Sequence, residues 1–417
     1  MNPKSNVTES LDNTFRTSFP LDTTVVSLVV GLVVVLTTYW ITSRKTSPAS
    51  TANPTATTSS TKKSIYGTEN RGPLQVKPVS PDFEWDKVEP LKSYPFKDGD
   101  YKLTMGIKTI TADDWLLIEP TYKSRIENKR QIIRDQHPDY AHRSDIRKST
   151  VFCAGDGEDS LREFYDTIMH YMTSKYPQYF VVDGDYIHNK IMDWKLPRNA
   201  GDQTPDQLLN YLVDTIEEDF IILKKDPTQI GKVDGDEYHF KAGVFAFAAG
   251  FNPSDRFNKP LSFIHHPIPG YEEKLKVSMN RFFSRLAPGN FVTRSNFSVQ
   301  THHKFYTDDQ NKGHNSPKDY LQEPLDYDKC DFDNEVHYRS ERQVLTKLPK
   351  TEAVVFTIRT YLMPMSHFKY ETPEVRRRFA GQIRGIPDDI GQYKRSWEWG
   401  PPVIRYMEEL NEQAAAA

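Results

Sequence analysis

The hydrophobic pattern divides the chain into two unequal regions. From Thr23 to Ser43 there are 21 residues without a charge, and Val25 to Leu36 is almost entirely Val and Leu. As a helix rising about 1.5 Å per residue, this run reaches roughly 30 Å, the hydrocarbon thickness of a bilayer. Tyr39 and Trp40 stand near one end, where amphipathic rings favour the headgroup level, and Arg44 and Lys45 follow at once. Upstream, only Lys4 and Arg16 are set against Glu9, Asp12 and Asp22. The pattern predicts a single-pass membrane protein: a polar segment over 1–22, a transmembrane helix over 23–43 and a C-terminal body on the cytosolic side. A cleaved signal peptide is the competing reading, disfavoured by the long, barely basic region before the run. Residues 44–71, mostly Ser, Thr, Pro and Ala at first, read as a flexible linker, because they offer little apolar area to offset ordering.

Residues 72–413 form one body in which the period switches between helical and strand-like, with 414–417 a plain tail. Phe164, Ile168, Met169 and Met172 share a face of a helix over Leu161–Tyr176. Thr204 caps a second helix with Pro205 in its first position, and Leu208, Leu209, Leu212 and Ile216 form its stripe. Leu275–Leu286 is a further amphipathic helix, and Thr372–Pro373 opens another by the same capping logic. Phe220–Leu223, Tyr238–Phe251 and Phe291–Val299 read as strands. Gln343–Leu348 and Ala353–Leu362, split by Pro349, read as antiparallel neighbours. The class is therefore α+β with a mainly antiparallel sheet.

Composition narrows the function. A net charge of −3 lacks the basic field that nucleic-acid binding needs. Two cysteines, Cys153 and Cys330, exclude a disulfide scaffold and any four-cysteine cluster held by this chain alone. There is no Gly-rich phosphate loop, nucleophile elbow or paired zinc-ligand helix motif.

The histidines and arginines are the remaining candidates. His265-His266 and His302-His303 are pairs whose members face opposite ways on a strand, so such a pair rarely supplies two ligands to one metal, and one member of each is left to face a pocket while the other faces solvent. His265 and His266 precede Pro267 and Pro269, which stiffen the backbone. A rigid histidine beside an apolar patch suits a haem axial position; a stiffened connection to the Leu275 helix is the plainer reading. Strand alternation puts Arg339 and Glu341 on one face and Arg342 on the other, with Arg359 on the next strand. These arginines suit either salt bridges or propionate-like groups. Arg294 and Asn296 share a strand face and invite the same two readings. Glu217, Glu218 and Asp219 follow a helix whose dipole they oppose, which points to a partner for them.

Several segments together resemble the family of domains similar to the α subunit of haem-dependent oxidative N-demethylase. They are Tyr94-Pro95-Phe96, Tyr101–Ile107, Asp114-Trp115, Leu161–Tyr165, Tyr176-Pro177, Glu218–Leu223, Ile264–Tyr271, Arg294–Phe297, Glu341–Leu345, Leu348-Pro349 and Phe356–Tyr361, in the family's order. Phe297 stands where the family pattern has tryptophan. The resemblance implies a PAS-like antiparallel sheet with flanking helices around haem b, and oxidative demethylation of a small amine with oxygen. It implies His265 as the iron's axial ligand, and Arg294, Arg342 and Arg359 as residues that anchor propionates or polarise oxygen. Electrons would come from a separate flavin and iron–sulfur reductase, since this chain lacks the cysteines for a cluster. The whole reads as a membrane-anchored monooxygenase-like protein; the alternative is a PAS-like sensor that binds haem or a ligand without catalysis.

Overall fold

The longest alternating stretches of the sequence form the centre of the fold. A computed structural model describes residues 66–92, 94–308, 312–313 and 322–416. Among the described residues the strands are β1 (Lys108–Ile110), β2 (Val151–Cys153), β3 (Phe180–Asp183), β4 (Tyr186–Asn189), β5 (Trp194–Pro197), β6 (Asp219–Lys225), β7 (Tyr238–Val244), β8 (Phe291–Gln300), β9 (His337–Lys347) and β10 (Val354–Pro364). Seven of them form one sheet in the order β1-β8-β9-β10-β6-β7-β2, and β3-β4-β5 form a second. Every pairing within both sheets is antiparallel.

The helices are α1 (Tyr122–Ile133), α2 (Ile146–Thr150), α3 (Glu158–Lys175), α4 (Pro205–Val213), α5 (Leu261–His265), α6 (Tyr271–Lys274), α7 (Lys276–Arg285), α8 (Pro373–Arg384), α9 (Asp388–Lys394) and α10 (Ser396–Ala416). Helix α3 buries Leu161, Phe164, Ile168, Met169 and Met172, the i, i+3, i+4 stripe of its sequence, with Glu158 and Asp159 at its positive end. Helix α4 carries the Thr204–Gln207 capping box with Pro205 first. In α8, Thr372 accepts from the Val375 N–H.

Register assigns the side chains of the central strands to two faces. Arg294 pairs with Gln343, Asn296 with Glu341 and Ser298 with Arg339. Glu341 in turn lies beside Thr360 of β10. The opposite face carries Ser295 beside Arg342, which itself pairs with Arg359. The Arg342 face is packed by Trp115 and the α3 stripe, and further along by an aromatic cluster of Phe96, Phe297, Tyr338, Phe368 and Phe379. Phe297 meets Phe96 edge-on at 5.4 Å within that cluster. On the Arg294 face, Val292 and Leu345 pack with Leu261 of α5 and Phe282 and Phe283 of α7.

The α+β class and antiparallel sheet agree with the sequence reading, but the expected transmembrane helix does not. Among the described residues no helix is long and apolar enough to cross a membrane. This corrects the single-pass, cytosol-facing localisation. The longest described helix, α10, spans 21 residues but contains Glu398, Arg405, Glu408, Glu409 and Glu412. The apolar run on which the expectation rested, 23–43, lies outside the described residues, as does most of the 44–71 linker.

Candidate functional site

His265 is not on a strand. It ends α5, which Pro260 precedes and whose Leu261 is buried. Pro267 and Pro269 then limit the chain before Gly270, whose φ of 73° lets it turn into α6. The His265 ring stacks on Tyr271 at 5.1 Å and 14°. Its Nδ1 lies 2.8 Å from the Leu261 carbonyl oxygen. A carbonyl only accepts, so Nδ1 carries the proton and the Nε2 lone pair is free to bind an electrophile. Burial, aided by the charges of Arg294 and Arg256, pushes the imidazole down to about 4, which keeps it neutral. Yet the side chain is only half-buried.

The polar row of the sheet begins beside this histidine. The Arg294 Nη1 donates to Gln343 Oε1 at 3.0 Å, and Gln343 Nε2 donates to Glu341 Oε2 at 3.0 Å. Glu341 Oε1 lies 3.4 Å from Arg339 Nε. The two remaining Arg339 nitrogens donate to the carbonyls of Phe305 and Phe247. A hydrogen-bonded chain thus runs over four residues of strand, roughly 14 Å. The Nε of Arg294 and the hydroxyl of Thr360 are buried without a hydrogen-bond partner. Burial opposes ionisation of Glu341, but Arg339 and Lys312 outweigh it and hold the carboxyl below its ordinary range.

Two lysines complete the row, and neither was apparent from sequence. Lys394, at the end of α9, donates to the Phe297 carbonyl at 2.6 Å and lies 3.5 Å from Asn296 Oδ1. Burial, with Lys312 adding repulsion, pushes it down to about 7. Lys312 lies 5.4 Å over the Tyr393 ring, and burial pushes it down to about 8. In the sequence Lys394 belongs to a short polar helix, and no periodicity marks it as buried. A small pocket beside these groups is lined by Asn296, Ser298, Gln300, Lys312, Arg339 and Glu341, among others.

Of the residues singled out from sequence, the fold brings His265 and Arg294 together and places Arg342 and Arg359 on the opposite face. There Arg342 donates to the carbonyls of Trp115 and Asp114. Arg359 is enclosed by Glu119 and Glu217, each at 2.7 Å, and Glu218 at 3.2 Å. It also donates to the Leu117 carbonyl and to Tyr361. The two arginines clamp the 114–119 segment onto the sheet. The acids after α4 have their partners here: Glu217 and Glu218 on Arg359, and Asp219 within 3.4 Å of Lys129. A larger cavity of about 300 Å³ adjoins Trp115 and Glu163. The Glu163 carboxylate is already occupied by the Lys350 and Thr351 amides of the β9–β10 turn and the Thr351 hydroxyl.

The described residues contain no group of three or more His, Cys, Asp or Glu able to hold a bare metal ion. A haem iron needs less from a protein, since the porphyrin supplies four nitrogens and one imidazole suffices. The donor set on the Arg294 face fits that need: a neutral, tautomer-locked histidine, and cations with hydrogen-bonding capacity left for carboxylates. A family model described as haem-dependent oxidative N-demethylase, alpha subunit-like, matches residues 106–404. That match covers the whole seven-stranded sheet, α5 and α9, and the chain belongs to the haem-dependent oxidative N-demethylase, alpha subunit-like family.

Proposed function

We propose that the chain binds haem b through His265 and oxidatively removes an N-methyl group from a small amine. The observation that carries this reading is the state of His265, neutral and desolvated, with Nδ1–H held by Leu261 and no hydrogen-bond partner for Nε2 among the described residues. Such an outer hydrogen bond fixes ring orientation and raises the basicity of the nitrogen that binds iron. Tyr271 braces the ring from one side. Arg294 and Lys394 are the residues suited to the propionates, because Arg294 keeps an unused Nε and Lys394 spends one short bond on a carbonyl. Lys394, poised near neutrality, is also able to deliver or accept a proton at its Nζ.

Haem supplies the oxygen chemistry when bound, and the protein supplies orientation, polarity and exclusion of water. Overall, the methylamine, dioxygen, two electrons and two protons give the demethylated amine, formaldehyde and water. Cys153 and Cys330, the two cysteines of the chain, are too few for an iron–sulfur cluster. The electrons therefore come from a separate flavin or iron–sulfur reductase in this proposal.

The test is to express the full chain with ample haem, record its absorbance, and add a generic reductase with methylamines. A Soret band together with formaldehyde release supports the reading. A protein without a Soret band rules out the haem, and a Soret band without formaldehyde from any amine rules out the demethylation.

A further inference from the structure

A buried carboxylate lies one peptide group away from His265. Glu237 immediately precedes β7 and is only 6% exposed. Its Oε2 accepts from the Ser262 N–H at 2.7 Å, and its Oε1 accepts from Asn280 Nδ2 at 2.6 Å. The Ser262 N–H and the Leu261 carbonyl belong to the same peptide group, and that carbonyl accepts the His265 Nδ1–H at 2.8 Å. Carboxylate, peptide and imidazole therefore stand in one line of hydrogen bonds. A negative charge on the N–H side of a peptide draws its proton and pushes electron density onto its oxygen, so the two bonds strengthen each other.

The same carboxylate ties together the elements around the ring. Helix α5 follows directly on the bridge between His239 of β7 and Pro260, and Asn280 belongs to α7. Glu237 thus joins the start of β7 to both helices. Burial, with the Glu237 charge adding to it, raises the pKa of Tyr271, so the ring that stacks on His265 stays an uncharged phenol. We infer that Glu237 is a positioning residue for His265: acting through the Leu261–Ser262 peptide, it holds the Nδ1 proton and strengthens Nε2 as a donor. In the axial role proposed above, on which this consequence rests, a stronger donor favours iron(III) and lowers the reduction potential. The relay of hydrogen bonds itself needs no haem.

Two substitutions in the full chain separate charge from shape. Glu237→Gln removes the charge and keeps the size. Its amide has an acceptor in Asn280 Oδ1, buried without a hydrogen-bond partner, once the Asn280 side chain turns over. Glu237→Leu removes both bonds, and Glu237→Gln carries the test if Glu237→Leu does not fold. Without haem, the His265 Nδ1–H proton resonance, identified by its loss in His265→Ala, is expected to move upfield in Glu237→Gln and to exchange away in Glu237→Leu. With haem, Glu237→Gln is expected to raise the midpoint potential by about 59 mV, a tenfold change in the ratio of reduced to oxidised iron. The iron–histidine stretching frequency should fall with it. A resonance that does not move in Glu237→Gln, or that the unmutated chain lacks, overturns the inference whether or not haem binds. A raised potential with an unchanged iron–histidine stretch also overturns it, because the charge then acts through space and not through the ligand. A missing Soret band with the proton shift intact removes the haem reading and leaves the Glu237–peptide–His265 relay standing.

Discussion

The central sheet buries charge on both faces, and the two faces treat it differently. On one, Arg359 meets three carboxylates, Tyr361 and a backbone carbonyl, and Arg342 grips two carbonyls of the same segment. Burial opposes the charge of Arg359, but Glu217 and Glu218 more than offset it, and its pKa is raised well above the ordinary value. On the other face, burial lowers the pKa of Arg294, Lys312 and Lys394 alike, and among the described residues Glu341 is the carboxylate that acts on all three. A saturated network holds a loop in place and has nothing left for a ligand. An under-satisfied one, built from equally buried residues, is a place where binding completes the structure.

Breaking the saturated face has the largest expected effect. Arg359→Leu leaves Glu119, Glu217 and Glu218 buried without their counterion and should cost about 3–5 kcal/mol in denaturant unfolding, close to the full stability of many domains. His265→Ala, on the other face, should abolish the imidazole-ligated haem spectrum while changing stability by no more than about 2 kcal/mol, since the ring is half-buried. If the axial-ligand spectrum survives this substitution, the ligand lies elsewhere. Arg294→Gln should weaken haem retention about tenfold and leave the unfolding midpoint nearly unchanged, whereas a loss of stability comparable to Arg359→Leu would make the two faces alike.

The smallest effect is in the pH dependence. The Lys394 amine titrates near 7 when folded and near its ordinary 10.5 when unfolded, so between these values the unfolded chain binds the extra proton. Stability from this group therefore falls as pH drops from about 10.5 to about 7 and is level below that. The other charges facing it are Lys312, Arg294 and Glu341. Lys394→Met should flatten this slope, measured by unfolding at pH 6 and pH 9. An unchanged slope would mean that the amine is hydrated in the folded state.

Much of the scaffold was legible in the sequence because it depends on local period and capping. The α3 stripe, the Thr204 and Thr372 caps, and the β9–β10 pairing around Pro349 are short-range patterns. Strand alternation also separated Arg339 and Glu341 from Arg342 correctly, and of the two readings left open for the first pair the structure shows the bridge, at 3.4 Å. Reading His265 and His266 as strand residues failed because a proline-flanked stretch of five residues is too short for a helical period to show. The acids after α4 announced that they needed partners, but Arg359 lies about 140 residues away, and no local pattern names it.

By itself, then, the sequence determined the α+β class, most of the central strands and helices, the family, and the candidacy of His265 and Arg294. The tertiary structure alone decided that Arg342 and Arg359 are spent on the opposite face, and that Lys312 and Lys394 join Arg294 around Glu341. The reason is physical. Secondary structure follows from neighbours along the chain, whereas the ionisation and free hydrogen bonds of a buried charge depend on groups that only the packing of distant segments brings within reach.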